Sequence, residues 1–269
     1  MKKGLVICGP DVAYGPLALL SGTFEEKVRK AADLGCDGIE LMVRDPAGLD
    51  WALVKQTIDK AGLEVSQVVT GELFGADGLC LVTADECLSR RAAERLRSVI
   101  DLAAHLGSMI NIGRVRGRLD LLGKAANAYE IAVERFRPLV AYAASKGVKV
   151  NIEPLNRYES DFILNAAEGR KFVADVGYEN GGLMLDMFHM NIEETTFEEG
   201  FTNAGDRLYH VHIADSNRCY PGSGHLDFGS AFRALSAMGY QGYVSAELLP
   251  LPDADTAGIK TIEFLNQYI

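Results

Sequence analysis

The feature that most constrains this chain is an alternation, repeated from end to end, of short apolar segments with longer stretches of helical spacing. The short segments predict strands over residues 4–8, 38–43, 64–69, 109–113, 149–153, 182–186, 208–214 and 243–248. The longer ones carry helix punctuation. Thr23-Phe24-Glu25-Glu26 has the pattern of a capping box, in which a hydroxyl accepts from a first-turn amide while Glu26 reaches back. Gly35, Gly62, Gly107, Gly147 and Gly239 each follow an apolar-periodic run, where a left-handed residue closes a helix shortly before the next strand.

Strands alternating with helices predict an α/β fold with a parallel sheet covered by helices. Eight such units in 269 residues predict a closed (β/α)8 TIM barrel. No linker, low-complexity tract or change in composition divides the chain, so residues 1–269 are expected to form one domain. A doubly wound open sheet is the competing architecture. Against it, the turn Cys8-Gly9-Pro10-Asp11 lacks GxGxxG, and GxxxxGK[ST] occurs nowhere.

Charge and cysteine usage narrow the partners. With 27 Lys+Arg against 37 Asp+Glu, the net charge of -10 disfavours a nucleic-acid partner. Met1-Lys2-Lys3 precedes an apolar run, but Gly9-Pro10 ends that run too early for a signal peptide or a membrane span. The five cysteines are odd in number and form no CxxC pair, which predicts reduced thiols in a cytoplasmic protein.

Reactive groups of a parallel barrel belong at the carboxyl ends of its strands. Strands five to eight end or run through Glu153, Asp186, His210-Val211-His212 and Glu247. Side chains alternate across a strand, so Ile152, Leu185, Val211, Ile213 and Ala246 face the helices while Glu153, Asp186, His210, His212 and Glu247 face the axis. Three carboxylates converging on one mouth repel one another unless a cation neutralises them. Three carboxylate oxygens and one imidazole suit Mn(II), Co(II) or Mg(II), with Zn(II) a further possibility. His210, one layer below His212, reads as a hydrogen-bonded residue behind the ligands.

The segments Ile152-Glu153-Pro154-Leu155-Asn156-Arg157-Tyr158-Glu159, Asp186-Met187-Phe188-His189-Met190-Asn191 and His212-Ile213-Ala214-Asp215-Ser216-Asn217-Arg218, with Pro221-Gly222-Ser223-Gly224-His225, strongly resemble the ketose 3-epimerases of the D-tagatose and D-psicose 3-epimerase type. These belong to the xylose-isomerase-like TIM-barrel superfamily. The resemblance spans Glu153 to Glu247. It implies a divalent metal, Mn first and otherwise Co, Mg or Zn, held by Glu153, Asp186, His212 and Glu247. It also implies that Glu159, His189 and Arg218 bind the substrate beside its carbonyl. Glu153 and Glu247 would act as the two catalytic bases, exchanging the C3 proton of a ketose through an enediolate.

The implied protein is a cytoplasmic isomerase acting on a small sugar or sugar derivative, without nucleic acid or membrane, and a possible dimer or tetramer. Aldose-ketose isomerisation and keto-inositol dehydration in the same superfamily are the alternative reactions. An apurinic endonuclease needs extra histidines on the early strands, and before residue 180 there is only His105. A non-catalytic sugar binder would not need two bases.

Three features have no role assigned by the resemblance. Arg114-Val115-Arg116-Gly117-Arg118 follows strand four and suggests either an anionic substrate group or a solvated, ion-paired loop. Glu40 points inward on strand two, as a second acid behind the metal or as the structural partner of an inward arginine. Gly222-Ser223-Gly224-His225 is either a turn with its amides toward the pocket or a flexible loop.

Overall fold

Eight parallel strands pair in sequence order, and the eighth returns to the first, closing a barrel. A computed structural model describes all of residues 1–269. The elements run β1 (Lys2–Cys8), α1 (Phe24–Asp33), β2 (Gly38–Met42), α2 (Trp51–Lys60), β3 (Glu64–Val69), α3 (Gly71–Gly75), α4 (Glu86–Leu106) and β4 (Met109–Ile112). They continue with α5 (Ala128–Ser145), β5 (Val150–Ile152), α6 (Ala166–Val176), β6 (Gly181–Asp186), α7 (Met187–Glu193), α8 (Phe197–Ala204), β7 (Leu208–Ile213), α9 (Phe228–Ala237), β8 (Tyr243–Ala246) and α10 (Ala254–Leu265). No helix is long and apolar enough to cross a membrane.

Local signals in the chain are realised where expected. The Thr23 hydroxyl accepts from the Glu26 amide at 3.3 Å and the Glu26 carboxylate accepts from the Thr23 amide at 2.8 Å, a complete capping box. Gly107 ends α4 with a φ of 70°, and the glycines at 35, 62, 147 and 239 take the same left-handed region. His105 lies in the last turn of α4 against Trp51 and is not among the residues that line the cleft at the barrel mouth.

Alternation along the strands divides the interior in two. Leu5, Ile7, Ile39, Leu41, Val211 and Ile213 face outward and join the helices in one apolar cluster of 66 buried residues, so the shell between barrel and helices is the main core. The lumen is different. Where barrels commonly stack branched aliphatic side chains, this one buries Glu40, Gln67, Asn151, His210, His212 and Ser245 completely. Gln67 Nε2 donates to Glu40 Oε2 at 2.7 Å and Asn151 Nδ2 donates to Gln67 Oε1 at 2.9 Å, while Asn151 Oδ1, Ser245 Oγ and the Nδ1 atoms of His210 and His212 have no hydrogen-bond partner.

Strand ends differ from the sequence expectation by one or two residues. The predicted 149–153 and 243–248 shorten to Val150–Ile152 and Tyr243–Ala246, while β1 starts at Lys2 and β6 at Gly181. At the mouth the strands splay into loops, and Pro154 has no amide to extend the ladder. The Glu153 amide still donates to Ile112 O at 3.2 Å, so Glu153 keeps the inward register of β5 although it opens the loop. Two short helices, α3 and α7, were not foreshadowed by the alternation; α7 carries His189.

Arg116 is a correction to the anion-binding option for the arginine run. It is fully buried and ties the β5 loop in place: Nη1 donates to Glu153 O at 2.6 Å, and Nη2 donates to Phe162 O at 3.0 Å and Ile163 O at 3.2 Å. Arg118 instead pairs with Asp120 at 2.8 Å on the surface. Removing the Arg116 guanidinium strands several buried carbonyls, so Arg116→Met is expected to cost on the order of 3 kcal/mol, while Arg118→Met stays within about 0.5 kcal/mol. Thermal unfolding followed by circular dichroism compares the two; equal Tm shifts would contradict the assignment.

Candidate active site and metal centre

Glu153, Asp186, His212 and Glu247 come together at the mouth, with one donor atom of each within 4.8 Å of the others. Each arrives from a different strand, at the end of β5, β6 and β8 and within β7. His212 Nδ1 lies 3.9 Å from Asp186 Oδ2 and 3.5 Å from Glu247 Oε2. Glu153, Asp186 and His212 are buried. A Cβ at position 113 would fall 2.6 Å from Glu153 Oε2, so Gly113 leaves the room that this carboxylate occupies.

The orientation of His212 is set by Glu40. His212 Nε2 lies 2.9 Å from Glu40 Oε2, and His210 Nε2 lies 2.6 Å from Glu40 Oε1. Burial alone would raise the Glu40 carboxyl, but the His212 and His210 imidazoles outweigh it and hold Glu40 well below the usual carboxylate range. An ionised carboxylate only accepts, so both Nε2 atoms carry hydrogen and His212 turns Nδ1 toward the three carboxylates. That Nδ1 is buried without a hydrogen-bond partner. A carboxylate behind a metal-binding imidazole is the usual arrangement for fixing its tautomer. Glu40, His210 and His212 also lie close enough together to hold an ion, but Glu40 is already satisfied by two imidazoles and Gln67.

The charges at the mouth are unbalanced. Burial, and then the Glu247 charge, push Glu153 up to about 8 against the pull of His212. Burial raises Asp186 despite Arg218 and His212. An orphaned imidazole nitrogen facing three oxygen donors fits a divalent ion of the Mn, Co or Mg kind, so the residues present suit a metal.

Arg218 meets the same carboxylates. Its Nη1 donates to Asp186 Oδ2 at 2.6 Å, its Nη2 donates to Glu247 Oε2, and its guanidinium carbon sits 4.8 Å from the Phe188 ring centroid. Arg218 itself has a φ of 63°, strained for a residue with a Cβ. The turn is held by Asp215, whose side chain accepts from the amides of Ser216, Gly222 and Leu226. The Gly222 amide therefore faces Asp215, not the pocket.

Glu153, Glu159, His189, Arg218 and Glu247 line one cleft of about 220 Å³, with Asp186 and His212 buried against its floor. That volume is below the roughly 300 Å³ at which drug-sized sites begin, so the ligand is small. His189 Nε2 lies 3.8 Å from Glu153 Oε1, and its Nδ1 lies 2.7 Å from Asn156 Nδ2. Burial, and then the Arg218 charge, hold the His189 pKa well below the ordinary histidine value, so this imidazole is neutral. Asn156 Nδ2 also donates to Glu159 Oε1 at 3.0 Å.

Sequence reasoning missed Asn111, which donates to Glu153 Oε2 at 3.0 Å, and Glu72, which lines the cleft. Asn111 shares the inward parity of Met109 on β4 and was findable on that ground. Glu72 sits in the unforeseen α3.

A family model described as xylose isomerase-like TIM barrel matches residues 28–268. The chain belongs to this family. Within it, an L-ribulose 3-epimerase of Methylomonas sp. (strain DH-1) is 34% identical over 219 residues, 81% of this chain and 75% of that protein. The crystal structure of D-allulose 3-epimerase from Methylomonas sp. in complex with D-allulose matches with a TM-score of 0.81 at 27% identity, covering 100% of this chain and 97% of that one. The apo crystal structure of 3-keto-D-glucoside 4-epimerase from E. coli matches with a TM-score of 0.83 at 27% identity, covering 99% of each chain.

Because Glu153 is raised to about 8 and His212 is held well above its ordinary value, both must lose protons when an ion binds. Mn(II) uptake is therefore expected to release protons and to tighten as pH rises from about 6 to 8. Calorimetry in buffers of different ionisation enthalpy measures both. Proton-neutral binding of pH-independent affinity would contradict this charge assignment.

Proposed function

We propose that this protein is a divalent-metal-dependent sugar epimerase that inverts the carbon next to a ketone, in the first reading C3 of a ketose. The observation that carries the reading is the pair of carboxylates, Glu153 and Glu247, reaching one small cleft from β5 and β8 over a cluster that suits a metal. The similarity to 3-epimerases over most of the chain supports it.

Glu153, Asp186, His212 and Glu247 would hold a divalent ion, Mn(II) first among the candidates, whose positive charge would polarise the ketone and make the neighbouring C–H more acidic. Inversion needs a base on each face of that carbon. Glu153 and Glu247 approach from strands with two others between them, so one carboxylate takes the proton and the other returns a proton to the opposite face. The starting configuration decides which acts first. His189, neutral and held by Asn156, offers its Nε2 beside Glu153 to a substrate hydroxyl. Glu159 offers an acceptor on the same side, and Arg218 screens the charge of Asp186 and Glu247 while reaching into the cleft. The five cysteines are all unpaired, which accords with a reducing, cytoplasmic setting.

The full-length match to a 3-keto-D-glucoside 4-epimerase favours a second reading, in which the ketone belongs to an oxidised glycoside and the inverted carbon is C4. The proton chemistry is the same in both.

Incubating the Mn(II)-loaded protein with ketoses in deuterium oxide is expected to place deuterium on the carbon beside the ketone and to yield its epimer, read by NMR. Glu247→Gln should lower that rate by at least about a hundredfold. An aldose product or loss of water in place of an epimer would contradict the proposal.

A further inference from the structure

Of the three arginines after β4, the fold removes Arg116 to the interior and Arg118 to a surface pair, and only Arg114 lines the cleft. Its guanidinium carbon sits 5.4 Å from the Phe74 ring centroid, and its side chain has no hydrogen-bond or ion-pair partner. Glu72, in α3 just after β3, lines the same wall and is likewise unpartnered. A Cβ at Gly75 would lie 3.3 Å from Glu72 Oε1 and 3.6 Å from Arg114 Nη2, so the two groups flank one point without forming an ion pair with each other. Strand order puts the loops after β3 and β4 across the barrel mouth from β7 and β8, which carry His212 and Glu247.

The balance of charge decides what such a pair can hold. The cleft is lined by Glu72, Glu153, Glu159 and Glu247 against Arg114 and Arg218. Arg218 is already engaged by Asp186 and Glu247. A divalent ion would be consumed by the carboxylates that hold it, leaving Arg114 as the one cation facing open space, with Glu72 beside it. A phosphate or carboxylate at Arg114 would therefore meet the Glu72 charge. Burial, opposed by the Arg114 and Arg44 charges, raises Glu72, as expected for a carboxylate with no donor in place. Adjacent hydroxyls satisfy both groups at once, since each hydroxyl both accepts and donates.

We propose that Arg114 and Glu72 form the subsite for the distal hydroxyls of an uncharged sugar and exclude phosphorylated and carboxylated ones. This rests on the epimerase reading and names its substrate class. The guanidinium donates to one hydroxyl and the carboxylate accepts from its neighbour, at the end of the substrate away from the reacting carbon.

D-Fructose and D-fructose 6-phosphate are the probes, with the Mn(II)-loaded protein and its Arg114→Met and Glu72→Gln variants. The wild type is expected to bind D-fructose in preference to its phosphate. Each variant should raise KM for D-fructose on the order of tenfold and change kcat less, the signature of binding shared by ground and transition states. Preference for the phosphate, lost in Arg114→Met, would make this an anion site and overturn the proposal, as would an unchanged KM in both variants. Calorimetric binding keeps the two readings apart. D-Fructose binding that weakens in both variants supports the subsite even if no deuterium is incorporated, in which case the epimerase reading alone falls. D-Fructose binding that is absent, or equal in all three proteins, overturns the subsite.

Discussion

Three carboxylates, the buried Glu153 and Asp186 and the partly exposed Glu247, share the barrel mouth with one imidazole and one guanidinium, and the surrounding structure is arranged about that concentration of charge. Two like charges about 4 Å apart repel by roughly 4 kcal/mol at the effective dielectric of a protein surface. Arg218 relieves part of this by pairing with Asp186 and Glu247, yet Glu153 is still pushed up to about 8. A divalent ion is the compact way to cancel the remainder, and it would also serve the proton chemistry proposed for the same residues.

The constraint extends down the barrel. For His212 to present Nδ1 upward, its other nitrogen needs an acceptor below, and Glu40 supplies it across the lumen from β2. Glu40 in turn must be kept ionised while fully buried, which requires His210 and the Gln67 amide. The lumen therefore holds a hydrogen-bonded polar layer in place of apolar packing, and stability shifts to the shell between strands and helices, where the large apolar cluster lies. Arg116 plays the corresponding part for the β5 loop, trading a buried charge for a fixed backbone at Glu153.

Much of this was legible in the sequence because it rests on periods. The alternation of strands and helices foretold the closed barrel, and the two-residue period of His210-Val211-His212 placed both histidines in the lumen with Val211 in the shell. The four clustered residues followed from the same parity. What the sequence hid depends on contacts between distant elements. Glu40 was visibly inward, but its two imidazole partners stand 170 and 172 residues away. The arginine run looked uniform, and only the packing of the β5 loop against β4 sends Arg116 inside and leaves Arg114 in the cleft. Glu72 gave no signal because α3 is five residues long, too short for a helical period to register.

In this arrangement a bound ion would sit among Glu153, Asp186, Glu247 and the Nδ1 of His212, with Glu40 behind. Anomalous diffraction from crystals of the Mn(II)-loaded protein tests it most directly. One strong peak is expected within bonding distance of those four side chains, with His212 Nε2 still hydrogen-bonded to Glu40. A peak among Glu40, His210 and His212, or a His212 ring turned to coordinate through Nε2, would contradict it.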